Sequence, residues 1–340
     1  MPFEPSAEHL KHMPKFQANQ VPRYLFHIYT PVSVSTTTTS YVIPPATKTL
    51  DREATLDIFK EPPDIAGDLL WSHLRWTAAH EETCNFTSWT SSLLFALQYG
   101  LFMHRGLDFR SELYDIHLLI IDTRKFPKGT FVKDLEIMRA IASNLDPGEK
   151  LHDMLSLRED LKSNGRKYYF GEYLSQGDLA LQGKCTEATM ELMRRLGLFD
   201  LQPDLGDETK WDQLANRVLN LRDPFRNVPP IQPLPPTDIE LVRKAIVLAS
   251  VSFRDPFTLP GALMLLALRP RQHKDEAIVK AFVAMFTRDE IRDSLRDCQV
   301  DAWHLPEVEQ FASLVDAILQ EVDELDPLIK AMRNLGFRLT

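Results

Sequence analysis

Asn85-Phe-Thr-Ser-Trp-Thr-Ser91 runs directly into Ser92-Leu-Leu-Phe-Ala-Leu-Gln-Tyr-Gly100, and the residue pattern changes between the two pieces. Aromatic and threonine side chains in the first piece favour a strand. In the second piece the apolar residues follow helical spacing, and the glycine at its end is a natural helix stop. A strand that leads straight into a helix predicts a mixed α+β domain around this stretch.

Further strands are predicted on both sides. Arg23–Tyr29 is rich in aromatic and apolar residues, and Ile116–Asp122 is mostly apolar, as a buried strand is. Tyr168–Leu181 contains two strand-like pieces around Ser175–Gly177, whereas the Ser/Thr run Ser33–Ser40 indicates a flexible loop. Helices are predicted over Asp64–Thr77, Val132–Ser143, Leu151–Ser163, Glu187–Leu196 and Trp211–Leu221.

A proline-rich segment divides the chain. Residues 223–237 contain Pro224 and then five more prolines from Pro229 to Pro236, which neither a helix nor a central strand tolerates. The sequence therefore predicts a flexible leader over 1–20, an α+β domain over 21–222, a linker over 223–237 and a helical domain over 238–340. The predicted helices of the last part are Asp238–Ser252, Pro260–Leu268, Asp275–Phe286 and Pro306–Leu325, with one more after Thr287.

Composition and charge argue against several classes of function. The net charge of −9 argues against a nucleic-acid partner, and no apolar run approaches the ~18 residues of a membrane span. The three cysteines, Cys84, Cys185 and Cys298, are odd in number and far apart. They form no zinc pattern and no disulfide framework, so we expect reduced thiols, no bound metal and a cytoplasmic protein.

Three short segments carry different polar groups. Leu25-Phe-His27 supplies an imidazole, Ser88-Trp-Thr90 supplies hydroxyls and Gln176-Gly-Asp178 supplies a carboxylate. In this order they resemble the ADP-ribosyltransferase superfamily with its enterotoxin-like fold. That superfamily has an Arg or His on its first strand, a Ser-Thr-Ser motif on a strand that enters a helix, and a Glu on a later strand. The segments also look similar to those of an uncharacterised fungal group assigned to that fold, and the resemblance covers roughly residues 21–200.

The resemblance implies a split sheet with helices and an activity on NAD, either ADP-ribosyl transfer or NAD hydrolysis. NAD loses nicotinamide through an oxocarbenium-like transition state, whose charge a carboxylate stabilises. By this resemblance Asp178 would stabilise the charge, Ser88 would organise the site and His27 would contact NAD. The NAD-binding residues implied are His27, Ser88, Thr90, Tyr29 and Gln176, with Trp89 and Phe170 as further stacking partners.

Several alternatives stay open at this stage. Asp178 is one methylene shorter than the superfamily's glutamate, and Glu172 in the same segment is a rival carboxylate. Ser88 and Thr90 also suit a helix N-cap, and Asp178 after a glycine suits a turn. A second hypothesis is therefore a catalytically degenerate scaffold of the same fold, with a protein partner recruited by the helical C-terminal region.

Overall fold

The computed structural model describes residues 1–48, 56–77, 82–106, 110–159, 168–226, 234–272 and 274–334. The chain forms two compact units. The first, an α+β unit, comprises Met1–Glu191, Glu208–Leu219 and Gln299–Leu305. The second, a helical unit, comprises Leu192–Asp207, Asn220–Cys298 and Pro306–Thr340.

The described strands are β1 Tyr24–Tyr29, β2 Thr36–Thr37, β3 Tyr41–Ile43, β4 Phe86–Thr90, β5 His117–Asp122, β6 Val132–Lys133, β7 Glu172–Gln176, β8 Leu179–Ala180 and β9 Cys185–Thr189. The described α-helices are α1 Ala7–Leu10, α2 Pro14–Gln17, α3 Pro45–Lys48, α4 Pro63–Leu74, α5 Leu93–Arg105, α6 Asp134–Ala142, α7 Lys150–Glu159, α8 Met190–Arg195, α9 Leu198–Leu201, α10 Ala215–Arg226, α11 Ile239–Ser252, α12 Thr258–Leu266, α13 Glu276–Met285, α14 Arg288–Leu295 and α15 Pro306–Asn334. Among these described segments, no helix is both long and apolar enough to cross a bilayer.

The main sheet has the strand order β6-β7-β4-β1-β5-β9, and every neighbouring pair is antiparallel. The expected α+β class is confirmed at this level. β1 pairs with β5 along its whole length, but it pairs with β4 only where Phe26 faces Thr90. The sheet therefore has a weak seam between β1 and β4, and this seam positions the site described below.

The core of the α+β unit covers one face of the sheet. Trp89 is its largest fully buried side chain, and its indole Nε1 donates to Ser175 Oγ at 2.9 Å, so the ring carries no unpaired polar group. The cluster around it consists of Leu25, Tyr29, Val42, Leu119, Ile121, Phe126, Phe131, Tyr173, Leu179 and Leu181. Alternate residues of a strand point to opposite faces, so Ser88 and Thr90 turn away from this cluster.

Residues 1–20 were predicted to be a flexible leader, and the structure corrects this. Phe3 is buried, and the backbone N–H groups of Lys15 and Phe16 donate to the Glu136 carboxylate at 2.7 and 3.0 Å. The segment is thus anchored to α6 by charge-assisted hydrogen bonds. Short helices with mixed composition gave too weak a sequence pattern to predict this docking.

Several predicted boundaries differ from the structure; for example, the predicted helix Val132–Ser143 begins as β6 and becomes α6 only at Asp134. α5 continues through Gly100 to Arg105, and Gly100 serves side-chain packing there, since a Cβ would lie 3.1 Å from Met190 Sδ. The predicted helix Glu187–Leu196 begins instead as β9, which pairs with β5, and becomes α8 only at Met190. Part of the predicted loop Ser33–Ser40 forms β2, in a small sheet of order β2-β3-β8.

The proline-rich segment 223–237 lies partly outside the described residues, namely over 227–233. Its first residues are not linker, because α10 continues past Pro224 to its own end. At the other end, the backbone N–H of Thr237 donates to the buried Asp275 carboxylate at 2.9 Å. The described ends of this segment are therefore held by helix structure and by a buried carboxylate.

The helical unit confirms the helical periodicity of the C-terminal part. α11 begins after the N-cap Asp238, α13 after Asp275, and α14 after Thr287, which forms a capping box with Glu290. An ion pair of 2.7 Å between Arg222 of α10 and Glu307 of α15 is almost completely buried in this unit.

Candidate functional site

A cavity of about 1020 Å³ lies in the α+β unit. Residues of β1, β4 and β7, three neighbouring strands, line it together with residues of α4, α5 and α7. Its size is in the range of ligand pockets in proteins. The sequence-predicted residues that line it are His27, Ser88, Trp89, Thr90, Phe170 and Glu172, although the Trp89 ring is almost completely buried in the core cluster.

Ser88 and Glu172 form the polar centre of this cavity. In the β4–β7 ladder Ser88 faces Leu174 and Thr90 faces Glu172, so Ser88 and Glu172 lie on the same side of the sheet. The Ser88 hydroxyl donates to Glu172 Oε1 at 2.7 Å. The bond fixes one oxygen of the carboxylate in place.

Arg158 of α7 holds the other oxygen of the same carboxylate. Its Nη1 lies 2.9 Å from Glu172 Oε2, and it also pairs with the fully buried Asp134. The guanidinium thus has two carboxylate partners, and Glu172 is fixed from both sides.

His73, near the end of α4, approaches Ser88 from the helix layer. Its Nε2 lies 2.8 Å from Ser88 Oγ, and its Nδ1 lies 3.1 Å from the Cys84 sulfur. A continuous hydrogen-bonded series therefore runs from Cys84 through His73 and Ser88 to Glu172.

His27 lies at the seam between β1 and β4. Its Nδ1 is 2.8 Å from the backbone oxygen of Ser88, and a carbonyl oxygen can only accept, so Nδ1 carries the hydrogen. The Nε2 atom is then the acceptor, 3.4 Å from the hydroxyl of Thr37. Burial, partly opposed by the bond to Ser88, lowers the pKa of His27 to about 4, so the imidazole is neutral at pH 7.

Aromatic rings form another wall of the cavity. Phe95 and Phe170 stack with centroids 4.9 Å apart, and the Trp76 ring lies 5.3 Å from that of Tyr99. Burial, with a smaller contribution from Glu172, raises the pKa of Tyr99 to about 12. These four rings give the cavity flat apolar surfaces beside its charged centre.

Thr90 lines the cavity wall, and its hydroxyl bonds to two backbone groups. Its hydroxyl donates to Phe170 O at 2.6 Å and accepts from the N–H of Ser92 at 3.0 Å. Ser92, rather than Ser88 or Thr90, is the N-cap of α5. The capping alternative for Ser88 is therefore wrong.

The predicted carboxylate Asp178 and its neighbour Gln176 lie outside the cavity lining. Asp178 is exposed, follows Gly177 at φ +65°, and accepts a hydrogen bond of 2.7 Å from Thr47. Gln176 is buried, and its side-chain oxygen accepts from the Ile58 N–H at 3.3 Å. The turn alternative describes Asp178 correctly, and Glu172 is the carboxylate that meets Ser88.

Tyr29 is also absent from the cavity lining. It belongs to the core cluster, its hydroxyl donates to Glu187 and its ring stacks on His117 at 4.9 Å. Burial and the Glu187 carboxylate raise its pKa. The expected contact between Tyr29 and NAD therefore has no support in this arrangement.

Comparison with known protein families, with curated proteins and with solved structures found no match for this chain. The function has to be argued from the geometry of the cavity itself. Within the described ranges, no group of three or more His, Cys, Asp or Glu side chains is arranged to hold a metal ion.

Sequence reasoning missed three residues of the site: His73, Cys84 and Arg158. His73 and Arg158 lie in helices that were predicted, but a helix pattern does not say which strand the helix will contact. The sequence offered one weak signal, for His73: it lies in the last turn of an apolar helix, where the helix dipole favours a positive charge.

Proposed function

We propose that this protein binds NAD in the cavity and cleaves its nicotinamide–ribose bond, either to transfer ADP-ribose or to hydrolyse NAD. The observation that carries the proposal is that His27, Ser88 and Glu172, from three neighbouring strands, line one cavity, with Ser88 and Glu172 on one face of the sheet and His27 at the seam between β1 and β4. Their strand positions follow the order of the ADP-ribosyltransferase superfamily, with Glu172 in place of Asp178. The single paired position between β1 and β4, Phe26 with Thr90, is in keeping with a split sheet of the enterotoxin-like type.

In this proposal Glu172 stabilises the positive charge that develops on the ribose as nicotinamide leaves. Ser88 and Arg158 each hold one oxygen of this carboxylate and so fix its direction. The neutral His27 offers its Nε2 as an acceptor to a ribose hydroxyl, which is a donor.

The remaining surfaces suit the rest of the NAD molecule. Flat rings such as Phe95 and Phe170 can stack on the nicotinamide or the adenine. The lining also contains Arg75 and Arg158, and a guanidinium suits a phosphate oxygen.

The decisive experiment incubates the protein with NAD and measures released nicotinamide. Glu172→Gln keeps the shape but removes the charge, so we expect the rate to fall by about 10²-fold or more. Asp178→Asn is the matched control, because Asp178 lies on the same segment but outside the cavity, and its rate should equal that of the unaltered protein. Equal activity of Glu172→Gln, or neither nicotinamide release nor NAD binding by calorimetry, would rule out the proposed activity.

One observation favours the alternative of a catalytically degenerate binding module. Arg158 is already paired with Glu172. The pairing weakens the electrostatic stabilisation that the carboxylate can offer to the positive charge of an oxocarbenium ion. In that case calorimetry would detect NAD binding while nicotinamide release stays at the background rate, and Arg158→Gln would not create activity.

A further inference from the structure

Cys84 and His73 form a pair in the wall of the cavity. Cys84 lies two residues before β4, and its sulfur is 3.1 Å from His73 Nδ1. Its next hydrogen-bond acceptor, the backbone oxygen of Phe86, is at 3.9 Å. Of these two contacts, His73 is the shorter, and both side chains line the space that a ligand would enter.

The direction of the neighbouring hydrogen bonds fixes one proton of His73. The Ser88 hydroxyl has one hydrogen, which it donates to Glu172, so its oxygen accepts from His73. His73 Nε2 is consequently the donor, and Nδ1 either accepts from the thiol or donates to a thiolate.

The surroundings favour the second arrangement. His73 occupies the last turn of α4, where the helix dipole stabilises a positive charge. Burial lowers the pKa of His73 and Arg158 opposes its protonation, but Cys84 and Glu172 outweigh both, and the pKa is raised. An imidazolium at this distance stabilises a thiolate in turn, as in cysteine–histidine pairs generally.

We propose that Cys84 and His73 form a thiolate–imidazolium pair, which makes Cys84 a nucleophile for small uncharged α,β-unsaturated carbonyl compounds that enter the cavity. The sulfur forms a bond to the β-carbon, and the electron pair of the carbon–carbon double bond moves to the α-carbon. The α-carbon takes the proton of His73, which becomes neutral. No oxidant or metal is needed, and the reaction is independent of NAD.

Cys185 in the same chain is an internal control. Burial, together with Glu187, raises its pKa to about 11, so it has little thiolate near neutral pH. Because a thiol of ordinary pKa would also react faster than Cys185, the apparent pKa of Cys84 itself decides the test.

The experiment treats the intact, folded protein with limiting acrylamide between pH 5.5 and 9 and measures each cysteine-containing peptide by mass spectrometry. At pH 6.5 we expect Cys84 to react on the order of a hundredfold faster than Cys185, with an apparent pKa below the ordinary value of about 8.5. The same protein in concentrated urea is the unfolded reference, in which the cysteines should react alike.

His73→Gln removes the imidazolium and should slow Cys84 roughly fivefold at pH 6.5, with its apparent pKa near 8.5 and Cys185 unchanged. An apparent pKa of 8.5 or more for Cys84 in the unaltered folded protein would overturn the proposal, whether or not the variant folds. So would a folded His73→Gln protein with the same Cys84 profile. Neither outcome bears on NAD cleavage, which is tested through Glu172.

Discussion

One nitrogen of His27 bonds to the backbone between two strands, while the other is available to a ligand. Where β1 and β4 stop pairing, its Nδ1–H satisfies the Ser88 carbonyl that the ladder leaves open. The same bond fixes the tautomer and leaves Nε2 as the acceptor. A structural role and a binding role for this histidine are therefore compatible.

The depressed pKa of His27 predicts a pH-dependent stability. Its value is about 4 in the folded protein and about 6.5 in an unfolded chain, so the unfolded state binds the proton first as the pH falls. The stability that neutral His27 contributes is fully present above about pH 6.5 and is lost between pH 6.5 and 4, by about 3 kcal/mol in the limit. Urea unfolding across this range measures it.

His27→Asn is the matched variant, because an amide N–H can replace Nδ1–H on Ser88 without titrating. The variant should show a flatter pH profile between pH 6.5 and 4 than the unaltered protein. An identical slope in both proteins would mean that other groups cause the acid sensitivity.

Some site residues could be predicted from the sequence around them, whereas others are placed by contacts with distant parts of the chain. His27 and Ser88 were predictable because each belongs to a strand that is visible in the sequence. Choosing between Glu172 and Asp178 needed the register of β7 on β4, which depends on pairing across more than eighty residues of chain. His73 and Arg158 come from helices whose docking is decided by tertiary packing, so no local pattern assigns them.

A buried cluster of charged side chains connects the short segment 299–305 to the sheet. Asp301 accepts from Lys133 at 2.7 Å and from the Tyr173 hydroxyl at 3.0 Å, and it also pairs with Lys15 at 2.8 Å. The Lys133 ammonium lies 4.7 Å from the centroid of the Tyr169 ring. Burial alone would raise the pKa of Asp301, but the two lysines outweigh it and lower the value to about 2.

Asp301→Asn should therefore destabilise the protein by about 3 kcal/mol, because it leaves Lys133 buried without its counter-charge. Chemical unfolding at pH 7 measures this loss. The difference from the unaltered protein should be fully present above about pH 4 and shrink as the pH falls toward 2, since Asp301 is then protonated in both states.

Glu240→Gln is the control for this prediction. Glu240 pairs with Arg243 on an exposed helix surface, and exposed pairs contribute little. An Asp301→Asn protein that is as stable as Glu240→Gln would show that the buried cluster does not hold the segment in place.

Helices and strands whose apolar residues recur at regular spacing were predicted well, and those without such spacing were not. The helices α11, α13 and α14 begin at the capping residues that the sequence offers. β9 was missed because Cys185–Thr189 becomes a strand only through its pairing with β5. Gly100 misled the prediction of α5, because it serves close packing within the helix.

At the scale of the molecule, the chain passes between the two units several times. The predicted single boundary near the proline-rich segment is replaced by units that share the chain in alternating pieces. Gln299–Leu305 belongs to the α+β unit although it follows most of the helical unit in sequence. Besides Asp301, this segment accepts the backbone N–H of Arg23 on the oxygen of Gln299 at 2.8 Å.

A chain truncated after Thr237 should consequently fail to form a stable α+β unit. It lacks Asp301 and Gln299, and Lys133 keeps its buried place without a carboxylate. We expect aggregation, or a melting temperature lowered by several degrees, in thermal unfolding followed by circular dichroism. Truncation after Leu325 is the comparison, since it retains these contacts, and equal stability of the two shortened chains would contradict the expectation.

The late position of Gln299–Leu305 also sets an order of events during synthesis. A ribosome that has completed every strand of the main sheet has still to add more than a hundred residues before Asp301 exists. Until Asp301 is synthesised, Lys133 lacks this carboxylate partner, and the newly made sheet cannot complete its native packing. This protein should therefore depend on chaperones for longer than a chain whose first domain closes as soon as its last strand leaves the exit tunnel.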